Sequence, residues 1–206
     1  MTVLSGNTIH RLIEPSKLVE GFASIKDQLQ PASFDFRLGE SMRIAKTVMT
    51  HKMVHYVMGP PRPEPAGLMA LDPFDKSRIE MTMEDLPMLR DKDGNGYWLL
   101  EPQAFCLAYT MEKVNIPANL GCQVSGRSSI GRLGLFVHIT AGWVDPGFYG
   151  YVTLEIYNAN PNPLIVRPGM KIGQFIFHKL DEESEAPYNG RYQNQAASPE
   201  ISRFTH

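Results

Sequence analysis

The chain has 206 residues and a mass of 23.2 kDa, is 43% hydrophobic and 20% charged, and carries a formal net charge of −2. This composition is typical of one soluble domain with its own core, and the near-neutral charge excludes a global attraction to nucleic acid. Because the sequence has no run of roughly 18 apolar residues and no secretion signal at its start, we expect a cytoplasmic protein without a membrane partner.

Helical patterning is confined to the front of the chain. Ser5 or Asn7 can accept hydrogen bonds from the first turn of a helix. Pro15 should end that helix, because proline cannot donate the next backbone hydrogen bond. A second short helix is predicted between about residues 16 and 29.

After residue 31 the chain changes to short apolar runs separated by turn residues. The 17 glycines and 16 prolines exceed the average share, and such frequent turns favour strands over long helices. The predicted strands are 33–38, 97–100, 105–110, 135–139, 151–157, 164–166 and 172–177. Their spacing predicts an all-β sandwich or barrel rather than a parallel α/β sheet.

Residues 56–93 are predicted to form an insertion in this domain. The four prolines between residues 60 and 65 exclude a central strand there, because proline lacks the donor that a β-ladder needs. We expect an extended surface excursion, which the charged stretch 72–93 continues. The alternative is a proline-rich ligand for a partner protein.

The chain is expected to divide into a domain at 1–180 and a C-terminal tail at 181–206. The tail begins with acidic residues and continues with small and polar ones. Such a composition is typical of a segment that stays mobile until it docks on a folded surface.

The cysteines and histidines form no recognisable metal motif. Cys106 and Cys122 are too few and too isolated for a disulfide framework or a four-cysteine zinc cluster, so we expect two buried core residues. His138 has no partner at ligand spacing. The other histidines considered are expected at surface or core positions, and they are His51, His55 and His178.

Residues 126–134, Gly-Arg-Ser-Ser-Ile-Gly-Arg-Leu-Gly, concentrate the polar groups that a polyphosphate needs. Arg127 and Arg132 offer cationic forks, the two serines offer hydroxyl donors, and the glycines let a ligand approach backbone N–H groups. The segment is not a Walker loop, because it lacks Gly-Lys-Ser/Thr. A basic surface turn is the alternative interpretation.

Apolar and polar residues alternate along 151–157, which puts Glu155 in mid-strand on the semi-polar face. A carboxylate there is either solvated or enclosed in a pocket suited to proton transfer, and the neighbouring tyrosines favour the pocket. Just upstream, Asp145 heads a Pro-Gly turn that leads to Phe148. The alternative role of Asp145 is to initiate that turn.

Several motifs in this order resemble the deaminase branch of the trimeric dUTPase and dCTP deaminase superfamily. They cover most of the chain and lie at 30–39, 126–135, 140–150, 153–158, 167–174 and 192–195. The resemblance implies a distorted all-β jelly roll, a dUTPase-like barrel, with short N-terminal helices. It also implies a homotrimer whose sites lie between subunits.

By this resemblance Glu155 is the catalytic glutamate. It would take a proton from the water that attacks C4 of cytosine and return protons as ammonia leaves. Arg132 would support the reacting centre, and Ser128 would lie near the base. Asp145 would meet the deoxyribose 3′-hydroxyl, and Phe148 would pack on the sugar and crowd out a ribonucleotide.

The resemblance also implies residues that bind the substrate dCTP. They are Arg127, Ser128 and Ser129 at the phosphates, Thr153 and Leu154 at the base through their backbone, and Tyr188, Arg191 and Gln195 in a tail that closes over the triphosphate. The triphosphate would arrive with Mg²⁺. A zinc route is disfavoured, because neither His-x-Glu nor Pro-Cys-x-x-Cys occurs in the sequence.

The run Ala141-Gly142-Trp143 resembles deaminases that also cleave the triphosphate, whereas one-reaction enzymes read Ala-His-Arg there. This favours conversion of dCTP to dUMP, ammonia and pyrophosphate, which supplies dUMP for thymidylate synthesis. A second water, positioned through Asp145, would attack the α-phosphorus. The alternatives are a deaminase that releases dUTP, a dUTPase, and a non-catalytic nucleotide-binding regulator. The resemblance also implies dTTP as an inhibitor.

Overall fold

The computed structural model describes residues 2–46 and 69–203. The proline cluster of the predicted insertion, and with it His51 and His55, lies outside the described residues. The helices are α1 (Gly6–Ser16), α2 (Ile25–Gln28), α3 (Lys76–Met81) and α4 (Ser128–Gly131). Within the described ranges, no helix has the length and apolar character needed to span a membrane.

The strands of the described residues account for most of the regular structure. They are β1 (Thr2–Val3), β2 (Val19–Glu20), β3 (Phe34–Arg37), β4 (Arg43–Ala45), β5 (Met83–Asp85), β6 (Leu89–Arg90), β7 (Gly96–Leu100), β8 (Phe105–Asn115), β9 (Leu120–Gly126), β10 (Leu135–Phe136), β11 (Trp143–Val144), β12 (Tyr149–Asn158), β13 (Leu164–Val166) and β14 (Lys171–Lys179). The predicted all-β class is therefore confirmed.

These strands form three sheets. The first has the order β1-β14-β9-β11, with β3 also paired to β14, and the second has the order β10-β12-β8-β4-β5, with β2 paired to β8. A small third sheet has the order β13-β7-β6. The neighbouring strands are antiparallel, and most neighbours are distant in sequence.

One apolar core contains side chains of both larger sheets. Phe36 and Phe175 of the first sheet have ring centroids 4.7 Å apart, and Leu154 and Ile156 of the second are fully buried in the same cluster. Burial of a large apolar side chain stabilises a fold by about 1.5–3 kcal/mol. A one-residue slip of β12 would exchange these two residues for Glu155, so the core fixes the register of the strand.

The N-terminal helix α1 follows the sequence prediction closely. The Ser5 hydroxyl accepts from the Thr8 N–H at 3.4 Å, as expected of the capping residue. The helix runs one residue past Pro15 and ends before Lys17, which has a φ of 49°. Proline is tolerated there because only the final turn loses its hydrogen bond.

The predicted helix at 16–29 is wrong over most of its length. Val19–Glu20 forms β2 on the edge of β8, and α2 occupies only Ile25–Gln28. Gly21 has a φ of 78°, which interrupts any helix at that point. Ser24 then caps a new single turn by accepting from the Asp27 N–H at 3.3 Å.

Two strand predictions also differ from the structure. The seven-residue strand β9 (Leu120–Gly126) was not predicted, because its glycines and polar residues hide the alternation. The run 135–139 is a strand only at Leu135–Phe136. Beyond Phe136 the chain leaves the strand, and the backbone N–H groups of Ile139 and Thr140 donate to the Glu155 carboxylate.

The described part of the predicted insertion does not form an extended excursion. Asp75 caps α3 by accepting from the backbone N–H groups of Ser77 and Arg78, and β5 then pairs with β4. The stretch 72–93 is thus tied to the second sheet through β5, where Met83 is buried, whereas Phe74, Met81, Met88 and Leu89 are exposed.

Both cysteines are free and buried, as predicted. Burial raises the pKa of the Cys106 thiol to about 12 and also raises that of Cys122. At pH 8 only about one ten-thousandth of the Cys106 thiol would be ionised, and the thiolate is the reactive form.

We therefore expect native protein at pH 8 to react with a disulfide reagent such as Ellman's at least about a thousandfold more slowly than the urea-unfolded chain. Absorbance at the released thiolate measures this directly. Rapid labelling of native protein at both cysteines would contradict the buried placement.

Candidate active site

An open cleft of about 630 Å³ lies over the outer face of β12. Its polar and aromatic lining includes six of the twelve catalytic and substrate-binding residues that the sequence singled out. These are Asp145, Phe148, Thr153, Glu155, Tyr188 and Gln195. One wall is apolar, so the cleft combines a few polar groups with a largely hydrophobic surface, as small-molecule sites usually do.

Glu155 is half-buried and reaches the cleft from the middle of β12, opposite Leu107 of β8. Its Oε2 atom accepts the N–H of Ile139 at 3.1 Å and that of Thr140 at 3.5 Å. Oε1 receives no hydrogen bond from the described residues. The carboxylate is therefore anchored through one oxygen, and the other is available to a water or a ligand.

The turn from Asp145 to Phe148 brings two predicted site residues to the cleft. The Phe148 N–H donates to the Asp145 carbonyl at 3.2 Å, which closes the turn. Gly147 has a φ of 89°, and a Cβ there would lie 2.6 Å from the Pro187 side chain. Glycine is thus required both by the backbone conformation and by the close approach of the tail.

The two residues predicted to meet a base through their backbone differ in position. The Val152 N–H points to β8, and the Tyr151 N–H points to the tail. Because backbone directions alternate along a strand, the backbone groups of Thr153 point away from β8 and those of Leu154 point toward it. The Leu154 side chain is fully buried. The structure therefore brings Thr153 to the cleft and leaves Leu154 in the core.

The C-terminal tail docks on its own chain along β12. The Tyr188 N–H donates to the Pro146 carbonyl at 2.7 Å, and the Tyr151 N–H donates to the Gln195 carbonyl at 3.1 Å. The Gln195 amide also hydrogen-bonds to the Thr153 hydroxyl. The folded surface on which the tail was expected to dock is therefore β12 and the turn before it.

The other predicted tail residues differ in their relation to the cleft. Tyr188 packs against Phe148 with ring centroids 5.9 Å apart. Arg191 is exposed and outside the cleft lining, and its guanidinium donates to the Arg203 carbonyl at 3.2 Å. Tyr188 and Gln195 therefore line the cleft in the structure, whereas Arg191 does not.

The predicted phosphate segment lies around α4, outside the cleft lining of its own chain. Ser128, Ser129 and Arg132 are exposed, and the Arg132 guanidinium has no hydrogen bond or ion pair with the described residues. Arg127 precedes the helix and is held in place by a buried acid. The segment therefore lies on the surface, outside the cleft that contains Glu155.

That acid is Asp35, to which the sequence assigned no role although it lies in the motif at 30–39. Its side chain is 2% exposed and lies 3.4 Å from the Arg127 guanidinium and 3.8 Å from the Lys171 ammonium. Gln30 donates to the same carboxylate at 3.2 Å. Burial raises the pKa of Asp35, and the two cations partly offset this effect.

Other residues that the sequence did not assign to the site also line the cleft. Ile79 and Met83, from the predicted insertion, form part of its apolar wall, and no motif marked them. His138 also lines the cleft, and its Nδ1 atom is buried without a hydrogen-bond partner among the described residues. The sequence had indicated only that His138 lacks a partner at metal-ligand spacing.

The run Ala141-Gly142-Trp143 borders the cleft at β11. Ala141 and Trp143 line it, and the Trp143 ring packs on His178 with centroids 5.7 Å apart. A Cβ at Gly142 would lie 2.8 Å from Cε1 of His138. A side chain at this position would therefore have to displace the His138 ring.

Comparisons with known proteins show the family of the chain. A family model described as dCTP deaminase-like matches residues 3–180, so the chain belongs to the dCTP deaminase-like family. A Methanobrevibacter smithii protein named dCTP deaminase, dUMP-forming, is 35% identical over 208 residues, which cover 98% of this chain and 95% of that protein. A Persephonella marina protein of the same name is 37% identical over 194 residues, covering 94% and 92%.

A solved structure supports the fold. The crystal structure of 2′-deoxycytidine 5′-triphosphate deaminase from Agrobacterium tumefaciens matches with a TM-score of 0.56 and 23% identity, over 87% of this chain. This chain spans about half of that longer one, 48%. The likeness shows that the chain shares the fold of that deaminase.

Within residues 2–46 and 69–203, no group of three or more His, Cys, Asp or Glu side chains is arranged to hold a metal ion.

The pair of Asp35 and Arg127 can be tested by replacing Asp35 with Asn. Arg127 and Lys171 are 30% and 35% exposed and can be solvated without Asp35, so we expect the free energy of unfolding to change by at most about 1 kcal/mol. Because Arg127 is the predicted phosphate ligand, we expect the Kd for a deoxynucleoside triphosphate to rise about tenfold.

Calorimetric titration gives the Kd, and urea unfolding gives the stability. Asp181→Asn, an exposed acid in the tail, is the matched control. An unchanged Kd in Asp35→Asn would show that the buried acid does not orient Arg127 for a ligand.

Proposed function

We propose that this protein deaminates dCTP at C4 of cytosine without zinc and couples this step to cleavage of the triphosphate, giving dUMP, ammonia and pyrophosphate. The observation that carries the proposal is the Glu155 carboxylate, held by the backbone at one oxygen and open to the cleft at the other. The names of the relatives that match over nearly the whole chain support the product.

In the proposed first step, Glu155 takes a proton from the water that attacks C4. It then delivers one proton to N3 of the ring and one to the exocyclic nitrogen, so that the C4–N bond breaks and ammonia leaves as the C4 carbonyl forms. A positioned carboxylate acting as base and then acid typically accelerates such a step by about 10²–10⁴-fold. Arg132 supports the negative charge that develops at the reacting centre, and Ser128 lies near the base.

In the proposed second step, another water attacks the α-phosphorus and pyrophosphate leaves. Asp145 meets the 3′-hydroxyl of the deoxyribose and orients this water. Phe148, which is buried beneath the tail residue Tyr188, packs on the sugar and excludes a 2′-hydroxyl. The run Ala141-Gly142-Trp143 supports the coupling of the two reactions, because it borders the same cleft as Asp145.

The triphosphate is proposed to arrive with Mg²⁺ as part of the substrate. Its partners are Arg127, Ser128 and Ser129, whose guanidinium and hydroxyl groups are typical phosphate donors. Tyr188, Gln195 and Arg191 close over it from the tail. We place the reaction in the cytoplasm, where its dUMP would supply thymidylate synthesis, and we include dTTP as an inhibitor of the same site.

We further propose a homotrimer in which α4 of one subunit completes the cleft of the next. The acids Asp145, Glu155 and Glu200 line the cleft, whereas its lining among the described residues includes no Lys or Arg. A triphosphate needs cations in place of its lost hydration. The exposed residues of α4 would supply them from a second copy of the chain.

The proposal is tested by incubating the protein with dCTP and Mg²⁺ and identifying the products. We expect dUMP, pyrophosphate and ammonia in equal amounts. Accumulation of dUTP with ammonia would identify a one-reaction deaminase. Pyrophosphate from dUTP, with dCTP unchanged, would identify a dUTPase, and binding of dCTP without turnover would identify a regulator.

Replacing Glu155 with Gln keeps the size of the side chain and removes its ability to accept a proton. We expect ammonia release from dCTP to fall by about 10²–10⁴-fold, measured with a coupled ammonia assay. Glu14→Gln, an exposed change on α1, should retain full activity. Ammonia release by Glu155→Gln at the rate of the unchanged protein would exclude the proposed role.

The shared site is tested by mixing two inactive variants, Arg132→Ala and Glu155→Gln. If each site takes Glu155 and Arg132 from different subunits, random reassembly of equal amounts restores about one quarter of the sites. The ammonia assay after joint refolding measures this recovery. No recovery is expected if both residues of a site come from one chain.

A further inference from the structure

The ladder between β8 and β12 is interrupted directly before the candidate catalytic residues. Tyr151 lies opposite Lys113, and Thr153 lies opposite Tyr109. Between these two pairs the register advances by two residues on β12 and by four on β8. Val152 therefore lies opposite the three residues 110–112. This is a bulge in β8, a feature that re-aims neighbouring side chains and is frequent beside active sites.

The Thr110 hydroxyl fills the gap that the bulge leaves. It accepts the Val152 N–H at 3.1 Å and donates to the Glu112 carbonyl at 2.7 Å. Thr110 is fully buried, so water cannot replace it at either group. The Thr110 side-chain oxygen thus lies between the Val152 N–H and the Glu112 carbonyl, a donor and an acceptor that a regular sheet would pair directly. It acts as a spacer in the ladder.

The bulge is held rigidly from the side away from β12. The buried Glu112 carboxylate accepts from Arg37 at 2.6 and 2.7 Å and from the Gln28 amide at 2.7 Å. Thr110 itself forms an isolated bridge with Leu38. The β8 side of the bulge is therefore fixed, and loss of the spacer would be taken up by movement of β12.

Thr153 is the first residue of β12 after the interruption, and its hydroxyl connects the strand to the tail. It accepts from the Gln195 amide and, at 3.3 Å, from the Glu200 N–H. Glu155 follows two residues later on the same face. The placement of Val152 thus affects both the tail contact and the carboxylate in the cleft.

We propose that Thr110 is a positioning residue: its hydroxyl spaces β12 from β8 at Val152 and thereby sets where Thr153 and Glu155 stand in the cleft. Thr110 does not line the cleft and would act only through the strand. The inference rests on the proposed deamination, because Glu155 is the group whose placement is measured. A displacement of about 1 Å at a reacting group can cost about a hundredfold in rate.

The test compares Thr110→Val, which keeps the shape and removes the hydroxyl, with Thr110→Ser, which keeps the hydroxyl. We expect kcat for ammonia release from dCTP to fall at least about tenfold in Thr110→Val and to stay within about threefold in Thr110→Ser. KM should change less than kcat in both, because Arg127, Ser128 and Ser129, the proposed phosphate ligands, do not lie on β12.

Ser5→Ala is the control for a general loss of stability, since it removes the cap of α1 far from β12 and should leave kcat unchanged. All assays are run below the unfolding transition, monitored by circular dichroism. An unchanged kcat in Thr110→Val, or equal losses in the Val and Ser variants, would overturn the inference. Absence of ammonia release by the unaltered protein would instead refute the proposed function.

Thr110→Cys keeps the test decisive if the Val variant does not fold. A thiol is a weak hydrogen-bonding group of similar size, so we expect kcat to lie at least about threefold below that of Thr110→Ser. Equal kcat values in the Cys and Ser variants would contradict the spacer role. Hydrogen exchange of peptides covering 149–158 should also be faster in the Cys variant than in the Ser variant.

Discussion

The burial of Leu154 and Ile156 is the constraint on which the rest of the site depends. Both side chains are fully buried in the core shared by the two larger sheets. Because strand side chains alternate, this burial turns Thr153 and Glu155 outward and leaves no second register that keeps the core intact. The same alternation directs the backbone groups of Thr153 and Glu155 away from β8. The chemistry of the cleft is thus a consequence of packing on the opposite face of one strand.

The free edge of β12 explains why the tail docks where it does. β10 pairs with β12 only at Tyr157 and Asn158, and the tail bridges it at Gly150. Between these points, no strand of the described residues pairs with that edge. The tail therefore satisfies part of an exposed ladder and borders the opening. An exposed strand edge can pair with another chain and promote aggregation. Here the exposed edge coincides with the cleft that contains Glu155.

The sequence was sufficient for the elements whose pattern is local. The alternation of 151–157 predicted the outward Glu155, and the Pro-Gly turn predicted that Asp145 and Phe148 would be presented together. It could not reveal relations between distant segments, such as the ion pair of Asp35 with Arg127 or the apolar wall contributed by Met83. The helix predicted between 16 and 29 is confined to Ile25–Gln28, because pairing of Val19 with β8 overrode the local helical spacing. Tertiary partners decided each of these cases.

The near-neutral net charge conceals a separation of charge across the surface. Asp145, Glu155 and Glu200 line the cleft, whereas Arg132 is exposed on the segment around α4. A single chain would therefore present an acidic cleft that disfavours a triphosphate. If the cations come from a neighbouring copy, as proposed, the triphosphate binds only the assembled form. By linkage, substrate would then stabilise the trimer by an amount that grows with its concentration relative to Kd. Assembly and substrate binding would be one coupled equilibrium.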